Sequence, residues 1–205
     1  MVASLVADGW RVVVPLEAES DMEASEHVHT LVADLTDPDD VARAIRATGY
    51  DDAPLKALVN LVGGFAAEQP VATTPIAEFE RMFALNLRPT YLVTQAALPR
   101  LAANGGGAIV CVGSAAALRP FAGAAGYAAS KAAVIAFARV VAEEGKPDGV
   151  RCNAILPTQI DTPANREAMP ESEWHRLVPP ARIAGTVAFL CSDASAAVNG
   201  AAVPV

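Results

Sequence analysis

The sequence predicts an α/β fold in which helices cover both faces of a doubly wound parallel sheet. Short runs of β-branched residues alternate along the chain with longer stretches of helical periodicity, which is the pattern of repeated strand–helix–strand units. The strand runs are apolar almost throughout, as expected for strands buried on both faces. With 205 residues, 53% of them hydrophobic, the chain is large enough for a substantial core. We therefore expect residues 1–205 to form a single domain.

The predicted elements alternate in a regular order. The predicted strands are residues 11–16, 28–32, 57–62, 108–112, 150–156 and 201–205. Residues 1–9 are predicted to be the end of a helix. The other predicted helices are residues 37–48, 74–101 and 127–144. Thr74 suits a helix cap followed by Pro75 at the first helical position, and Gly145 lies just past the last helix, where glycine accepts a left-handed backbone. Residues 158–180 are expected to be irregular and to lie where open parallel sheets bind ligands.

The composition argues against several classes of protein. A net charge of −8 disfavours binding to the phosphates of nucleic acid and electrostatic binding to anionic lipid. The three cysteines are odd in number and lack metal-ligand spacing, which disfavours a disulfide framework or a metal site. The N-terminal residues lack the basic leading region of a signal peptide. We expect a cytoplasmic protein that binds neither nucleic acid nor membrane.

The strongest local signal for chemistry is the segment Tyr127-Ala-Ala-Ser-Lys131. A spacing of four places the tyrosine and the lysine on one helix face, one turn apart. An ammonium that close favours phenolate over phenol, which suits proton transfer. The same pair also fits a helix surface on which neither residue has a chemical role, and the spacing alone does not decide between these two interpretations.

Two more polar residues stand at unusual places. Ser114 follows the strand at 108–112, where its hydroxyl could hold a substrate oxygen or satisfy the local backbone. Asn86 falls on the apolar stripe of its helix, and a buried amide needs partners. Pro89 cannot donate to the carbonyl of Leu85, so the helix should bend or open here. Asn86 could then hold a water or cap the irregularity.

Several segments taken together carry a family resemblance. In chain order they are 33–37 (ADLTD), 59–64 (VNLVGG), the residues Asn86, Ser114, Tyr127 and Lys131, then 151–157 (RCNAILP) with Ile160 and Thr162, and 189–193 (FLCSD). In this order and spacing they resemble the motifs of the short-chain dehydrogenase/reductases over almost the whole chain. The resemblance implies a Rossmann-like fold and an NAD- or NADP-dependent oxidoreductase. Such an enzyme transfers a hydride between the nicotinamide and a small carbonyl or alcohol substrate.

The resemblance also implies roles for individual residues. Tyr127 would be the general acid/base, Lys131 would hold the nicotinamide ribose, Ser114 would position the substrate oxygen, and Asn86 would anchor a water of a proton relay. The implied cofactor-binding residues are Asp34, Leu35, Asn60, Gly63, Tyr127, Lys131, Pro157, Ile160 and Thr162. No metal is implied.

The sequence departs from the family pattern at both ends. The first strand and the glycine-rich turn that receives the cofactor pyrophosphate are missing, and the chain stops at Val205, inside the last strand. We therefore expect an N-terminally truncated, incomplete Rossmann-like sheet, with reduced stability or compensating oligomer contacts. Leu16 replaces the acidic residue expected at the end of the next strand, Glu17 follows it, and no Arg or Lys stands nearby. This favours NAD over NADP.

Alternatives to an active oxidoreductase remain open. The chain could be a catalytically silent, truncated Rossmann fragment with a binding or oligomer role. A minor alternative is a dihydropteridine-reductase-like activity, because the loop at 156–170 resembles that branch, although the branch lacks the serine found here as Ser114. The two long helices, around Asn86 and after Tyr127, resemble those that family members pair across subunits, and the stretch at 128–141 is apolar enough for such an interface. The resemblance therefore implies a homodimer or homotetramer. Trp174 and His175 could touch the small-molecule substrate, but a surface position is expected for both.

Overall fold

The computed structural model describes residues 1–19, 22–49, 52–66 and 69–205. Parallel strands alternate with helices along the described chain, so the predicted α/β class is confirmed. The strands are β1 (Val12–Leu16), β2 (Val28–Val32), β3 (Ala57–Asn60), β4 (Gly107–Val112), β5 (Val150–Leu156) and β6 (Ala202–Pro204). The helices are α1 (Val2–Ala7), α2 (Pro38–Ala47), α3 (Ile76–Asn86), α4 (Arg88–Ala103), α5 (Ala125–Glu144), α6 (Pro163–Glu167) and α7 (Pro180–Cys191).

The main sheet has four parallel strands in the order β3-β4-β5-β6. Its central strands β4 and β5 are nearly all buried, and their register places Ile109 beside Cys152 and Cys111 beside Ala154. One apolar cluster joins one face of these strands to helices α4 and α5, and a second joins the other face to α7. The sheet is thus the middle of three layers, which brings the carboxyl ends of its strands together at one edge.

Strands β1 and β2 form a separate parallel pair. Within the described residues no ladder joins β1 to β3, and both strands line one cavity of about 260 Å³. Apolar side chains close this cavity, among them Val41 and Ile45 of α2, Val93 of α4 and Leu5 of α1. We call this cavity the strand slot. The described strands therefore form two separate sheets.

The long helix predicted at 74–101 is two helices in the structure. α3 ends at Asn86 and α4 begins at Arg88, so the predicted opening before Pro89 is confirmed. The cause is the missing N–H of Pro89, which leaves the ladder one hydrogen bond short. The hydroxyl of Thr90 donates to the carbonyl of Asn86 at 2.8 Å and satisfies part of the opened backbone.

Other element boundaries shift by a few residues. β3 stops at Asn60 instead of residue 62, and the exposed Leu61 begins the following loop. The segment at 158–180 holds the short helix α6 and a 3-10 turn at Glu171–Arg176 within an otherwise irregular path. This loop crosses the carboxyl edge of the sheet after β5.

Helix α5 is the one described helix that is long and apolar enough to span a membrane, judged by length and composition alone. In the structure it packs against β5 and α3 as a core helix. Gly126 allows the close approach to α3, because a Cβ atom there would lie 3.2 Å from atoms of Phe79 and Met82. The packing of α5 places Tyr127 and Lys131, in its first turns, at the edge of the sheet.

Candidate active site

A cavity of about 870 Å³ lies at the carboxyl ends of β3, β4 and β5. Open parallel sheets bind their ligands at this edge. The loops that follow the three strands and the first turns of α5 supply its walls. Of the residues predicted from the sequence, the cavity is lined by Gly63, Ser114, Tyr127, Lys131, Pro157 and Ile160.

Ser114 follows β4 and is only 7% exposed. Its Oγ accepts a hydrogen bond from the backbone N–H of Ala116 at 3.2 Å and so caps the 3-10 turn at Ala115–Ala117. The turn is tied to the end of β5, because the N–H of Ala115 donates to the carbonyl of Pro157 at 3.0 Å. The hydroxyl proton of Ser114 remains available as a donor to a ligand oxygen.

Lys131 lies one helical turn after Tyr127 and is 5% exposed. Its ammonium donates to the carbonyl of Val112 at 2.9 Å, at the end of β4. Burial lowers the pKa of Lys131 from its usual 10.5 to about 8, and the neighbouring Cys111 opposes this shift. The ring of Phe65 contacts that of Tyr127 edge to face, with 4.9 Å between the ring centroids.

Asn86 is fully buried and joins the loop after β3 to α5. Its Oδ1 accepts from the N–H of Gly64 at 2.9 Å, and its Nδ2 donates to Oγ of Ser130 at 3.0 Å. Ser130 in turn donates to the carbonyl of Tyr127 at 2.8 Å. The Asn86 amide is therefore engaged with protein groups that set the position of Tyr127. Its part in a proton relay stays a prediction.

Gly63 allows the loop after β3 to pass close to these groups. A Cβ atom on Gly63 would lie 2.6 Å from Oδ1 of Asn86 and 2.9 Å from Nζ of Lys131. Contacts this short require the neighbouring atoms to move. Gly63 belongs to a segment that carries the resemblance, and a side chain here would displace both Asn86 and Lys131.

The remaining predicted cofactor residues lie apart from the main cavity. Asn60 and Leu35 line the strand slot, and the buried Nδ2 of Asn60 has no hydrogen-bond partner among the described residues. Asp34 is exposed and accepts bonds from the N–H and hydroxyl of Thr36, which hold its pKa below the usual value. Thr162 caps α6 by accepting from the N–H of Asn165 at 3.2 Å. The structure therefore does not bring Asp34 or Thr162 into the main cavity.

Other residues of the cavity were not predicted from the sequence. They are Phe65, Arg119, Phe121, Gln159, Asn165 and Arg176. They come from loops with no periodic pattern, and only the position of Phe65 directly after the Gly63-Gly64 pair offered a signal. Trp174 and His175 do not line the cavity. Trp174 instead stacks with the guanidinium of Arg166, whose carbon lies 4.8 Å from the ring centroid.

The chain is similar to known proteins over most of its length. A family model described as "Enoyl-(Acyl carrier protein) reductase" matches residues 2–205. The 2-(R)-hydroxypropyl-CoM dehydrogenase of Xanthobacter autotrophicus is 34% identical over 182 residues, which are 83% of this chain and 73% of that protein.

Two solved structures resemble the chain over most of its length. A short-chain type dehydrogenase/reductase from Mycobacterium ulcerans matches with a TM-score of 0.81 and 26% identity, over 87% of this chain and 68% of that one. A 7α-hydroxysteroid dehydrogenase complexed with NADH and 7-oxo glycochenodeoxycholic acid matches with a TM-score of 0.80 and 27% identity, over 87% and 73% of the two chains. The chain belongs to the short-chain dehydrogenase/reductase family of oxidoreductases.

Proposed function

We propose that this chain is a nicotinamide-dependent oxidoreductase that interconverts a small carbonyl compound and its alcohol. One observation carries the proposal: Ser114, Tyr127 and Lys131 line a single cavity at the carboxyl edge of the sheet. Membership of the family supports it. So do the names of two similar proteins, which are both dehydrogenases, one of them in complex with NADH and a 7-oxo compound.

The side chains divide the proton chemistry among them. The Tyr127 hydroxyl gives its proton to the substrate oxygen during reduction and takes it back during oxidation. The Ser114 hydroxyl donates a hydrogen bond to the same oxygen and orients it. Lys131 places its ammonium at the wall of the same cavity, one helical turn from the tyrosine. Asn86 and Ser130 are positioning residues, since they act on Tyr127 through its backbone.

The described residues fit the ribose and nicotinamide end of a dinucleotide. Lys131 presents its ammonium at the cavity wall, and Gly63 lets the loop after β3 pass close to it. Asn60, at the end of β3 in the strand slot, offers a buried Nδ2 without a partner among the described residues. When bound, a nicotinamide supplies or accepts the hydride. We propose NAD over NADP, because Glu17 directly follows β1, where a carboxylate accepts ribose hydroxyls and repels a phosphate.

We also propose a homodimer or homotetramer formed through α4 and α5. Tyr91 and Val140 expose about half of their surface, and the Tyr91 ring contacts Phe137 at 5.9 Å between centroids. These residues form an apolar surface on two neighbouring helices. Such a surface is suited to a symmetric interface.

The function is tested by a spectrophotometric screen of small ketones and aldehydes with NADH and with NADPH. We expect turnover by the unaltered protein, and a loss of about a hundredfold or more in kcat/KM for Ser114→Ala, as for the removal of a donor to a developing oxyanion. Ser172→Ala, an exposed serine outside the cavity, is the matched control and should retain full activity. Full activity of Ser114→Ala would remove Ser114 from the mechanism. Tighter binding of NADPH than of NADH, by nicotinamide fluorescence, would overturn the cofactor preference.

A further inference from the structure

We infer that the substrate carries an anionic group, which Arg119 and Arg176 bind at the open side of the cavity. The inference rests on the proposed function and adds the class of substrate: a carbonyl or alcohol compound with a carboxylate, sulfonate or phosphate. The two arginines come from different loops. Arg119 follows the turn that Ser114 caps, and Arg176 ends the 3-10 turn before α7.

The charge of the cavity is opposite to that of the chain. Among the described residues that line it, Arg119, Lys131 and Arg176 are cationic, and none is Asp or Glu. The whole chain has 23 acidic and 15 basic residues and a net charge of −8. A cleft of one sign concentrates ligands of the other sign. The cavity therefore attracts anions on a protein that otherwise repels them.

The two arginines also have unused donors. The Arg119 guanidinium makes no hydrogen bond or ion pair with any residue of the described ranges, although its backbone N–H is bonded to Ala115. Arg176 makes one contact, from Nη1 to Oε2 of Glu173 at 3.1 Å, and its side chain is 65% exposed. Arg166, in the same loop, is instead held by both carboxylate oxygens of Asp161. Of these three, Arg119 and Arg176 are thus the ones that can form a two-point contact with a ligand anion.

Lys131 does not serve as the anion site. Its ammonium is buried and donates to the carbonyl of Val112. The arginines, in contrast, are exposed at the cavity rim. The reactive group would then lie by Ser114 and Tyr127, and the anion would point toward solvent.

Two aromatic side chains form a wall of the same cavity. Phe65 and Phe121 expose more than half of their surface, and their ring centroids are 6.4 Å apart. Phe65 also contacts Tyr127. Exposed aromatic side chains at a cavity commonly bind the apolar body of a ligand. The wall suits a substrate in which an apolar or aromatic body separates the carbonyl from the anion.

The test compares 4-formylbenzoate with the uncharged 4-formylbenzamide in binding and in turnover. By calorimetry we expect the benzoate to bind more tightly, and the double variant Arg119→Gln/Arg176→Gln to weaken its binding by about tenfold to a hundredfold, as for lost hydrogen bonds to a charged group. Binding of the amide should not change. Arg182→Gln removes an exposed charge on α7 away from the cavity and should behave as the unaltered protein.

Binding and turnover separate the two proposals. Equal binding of benzoate and amide, or unchanged benzoate binding in the double variant, would overturn the anion site. Turnover of neutral carbonyl compounds with no dependence on either arginine would leave the proposed function standing and refute the anion site. Arginine-dependent benzoate binding without turnover of any carbonyl compound would support the anion site and refute the proposed reaction.

Discussion

The buried ammonium of Lys131 makes the stability of the protein depend on pH in a defined direction. Burial lowers the pKa of Lys131 from 10.5 to about 8, so the native state releases this proton at a lower pH than the unfolded chain does. Below pH 8 both states hold the proton, and the native state bears the full cost of burying the charge. Between about pH 8 and 10.5 the unfolded chain binds more protons. The free energy of unfolding therefore rises with pH in this range.

The size of the effect follows from the same shift. Each pKa unit corresponds to about 1.4 kcal/mol, so Lys131 contributes a rise of about 2.5 kcal/mol between pH 7 and pH 10. The assay is urea unfolding of the unaltered protein and of Lys131→Met at several pH values in this range. The dependence of the free energy of unfolding on urea concentration, the m-value, should be the same at each pH. Because other groups also ionise here, the informative quantity is the difference between the two proteins. Parallel stability curves from pH 7 to pH 10 would refute the reasoning.

The packing around the cavity predicts three further outcomes. Gly63→Ala should lower the free energy of unfolding by about 1–3 kcal/mol, because the added methyl group overpacks against Asn86 and Lys131. Gly185→Ala, the control, has open space around it and should not lower this free energy. Equal effects of the two substitutions in urea unfolding would contradict the prediction. Ser130→Ala should lower the free energy of unfolding by about 1–3 kcal/mol, because it leaves the Asn86 Nδ2 without its acceptor. Thermal or urea unfolding identical to that of the unaltered protein would show that the hydrogen bond between Asn86 and Ser130 does not stabilise the fold. The amides of β1 and β2 should exchange with deuterium faster than those of β4 and β5; equal protection would argue against an interrupted sheet.

The sequence predicts the regular part of the fold because that part depends on local chemistry. Strand runs and the missing N–H of Pro89 act within a few residues, and each has its counterpart in the structure. The left-handed backbone predicted for Gly145 was wrong, because the chain continues right-handed into the 3-10 turn at Lys146–Asp148 and Gly149 is the left-handed residue. The helical stretch predicted at 74–101 is divided at Leu87 in the structure, because its apolar periodicity persists across the opening before Pro89 whereas the regular backbone does not. Periodicity reports which side is buried, not whether the helix is unbroken.

The site was predictable only in part. Tyr127 and Lys131 could be paired by helical spacing, but placing Ser114 beside them required the order of motifs along the chain. Arg119 and Arg176 could not be predicted, because distant loops bring them to one cavity and no local pattern marks either of them. Asn86 shows the same limit, since its apolar position predicted burial but not its partners Gly64 and Ser130.

The central claim is that Tyr127 performs the proton transfer of a nicotinamide-dependent reaction, and the most direct measurement is the turnover of Tyr127→Phe. Tyr91→Phe, which removes a hydroxyl from the exposed surface of α4, is the matched control. We predict a loss of about a hundredfold or more in kcat for Tyr127→Phe, with unchanged thermal unfolding and unchanged NADH binding, and no loss for Tyr91→Phe. Full activity of Tyr127→Phe would contradict the mechanism. Absence of NADH binding and turnover in the unaltered protein would favour the catalytically silent alternative.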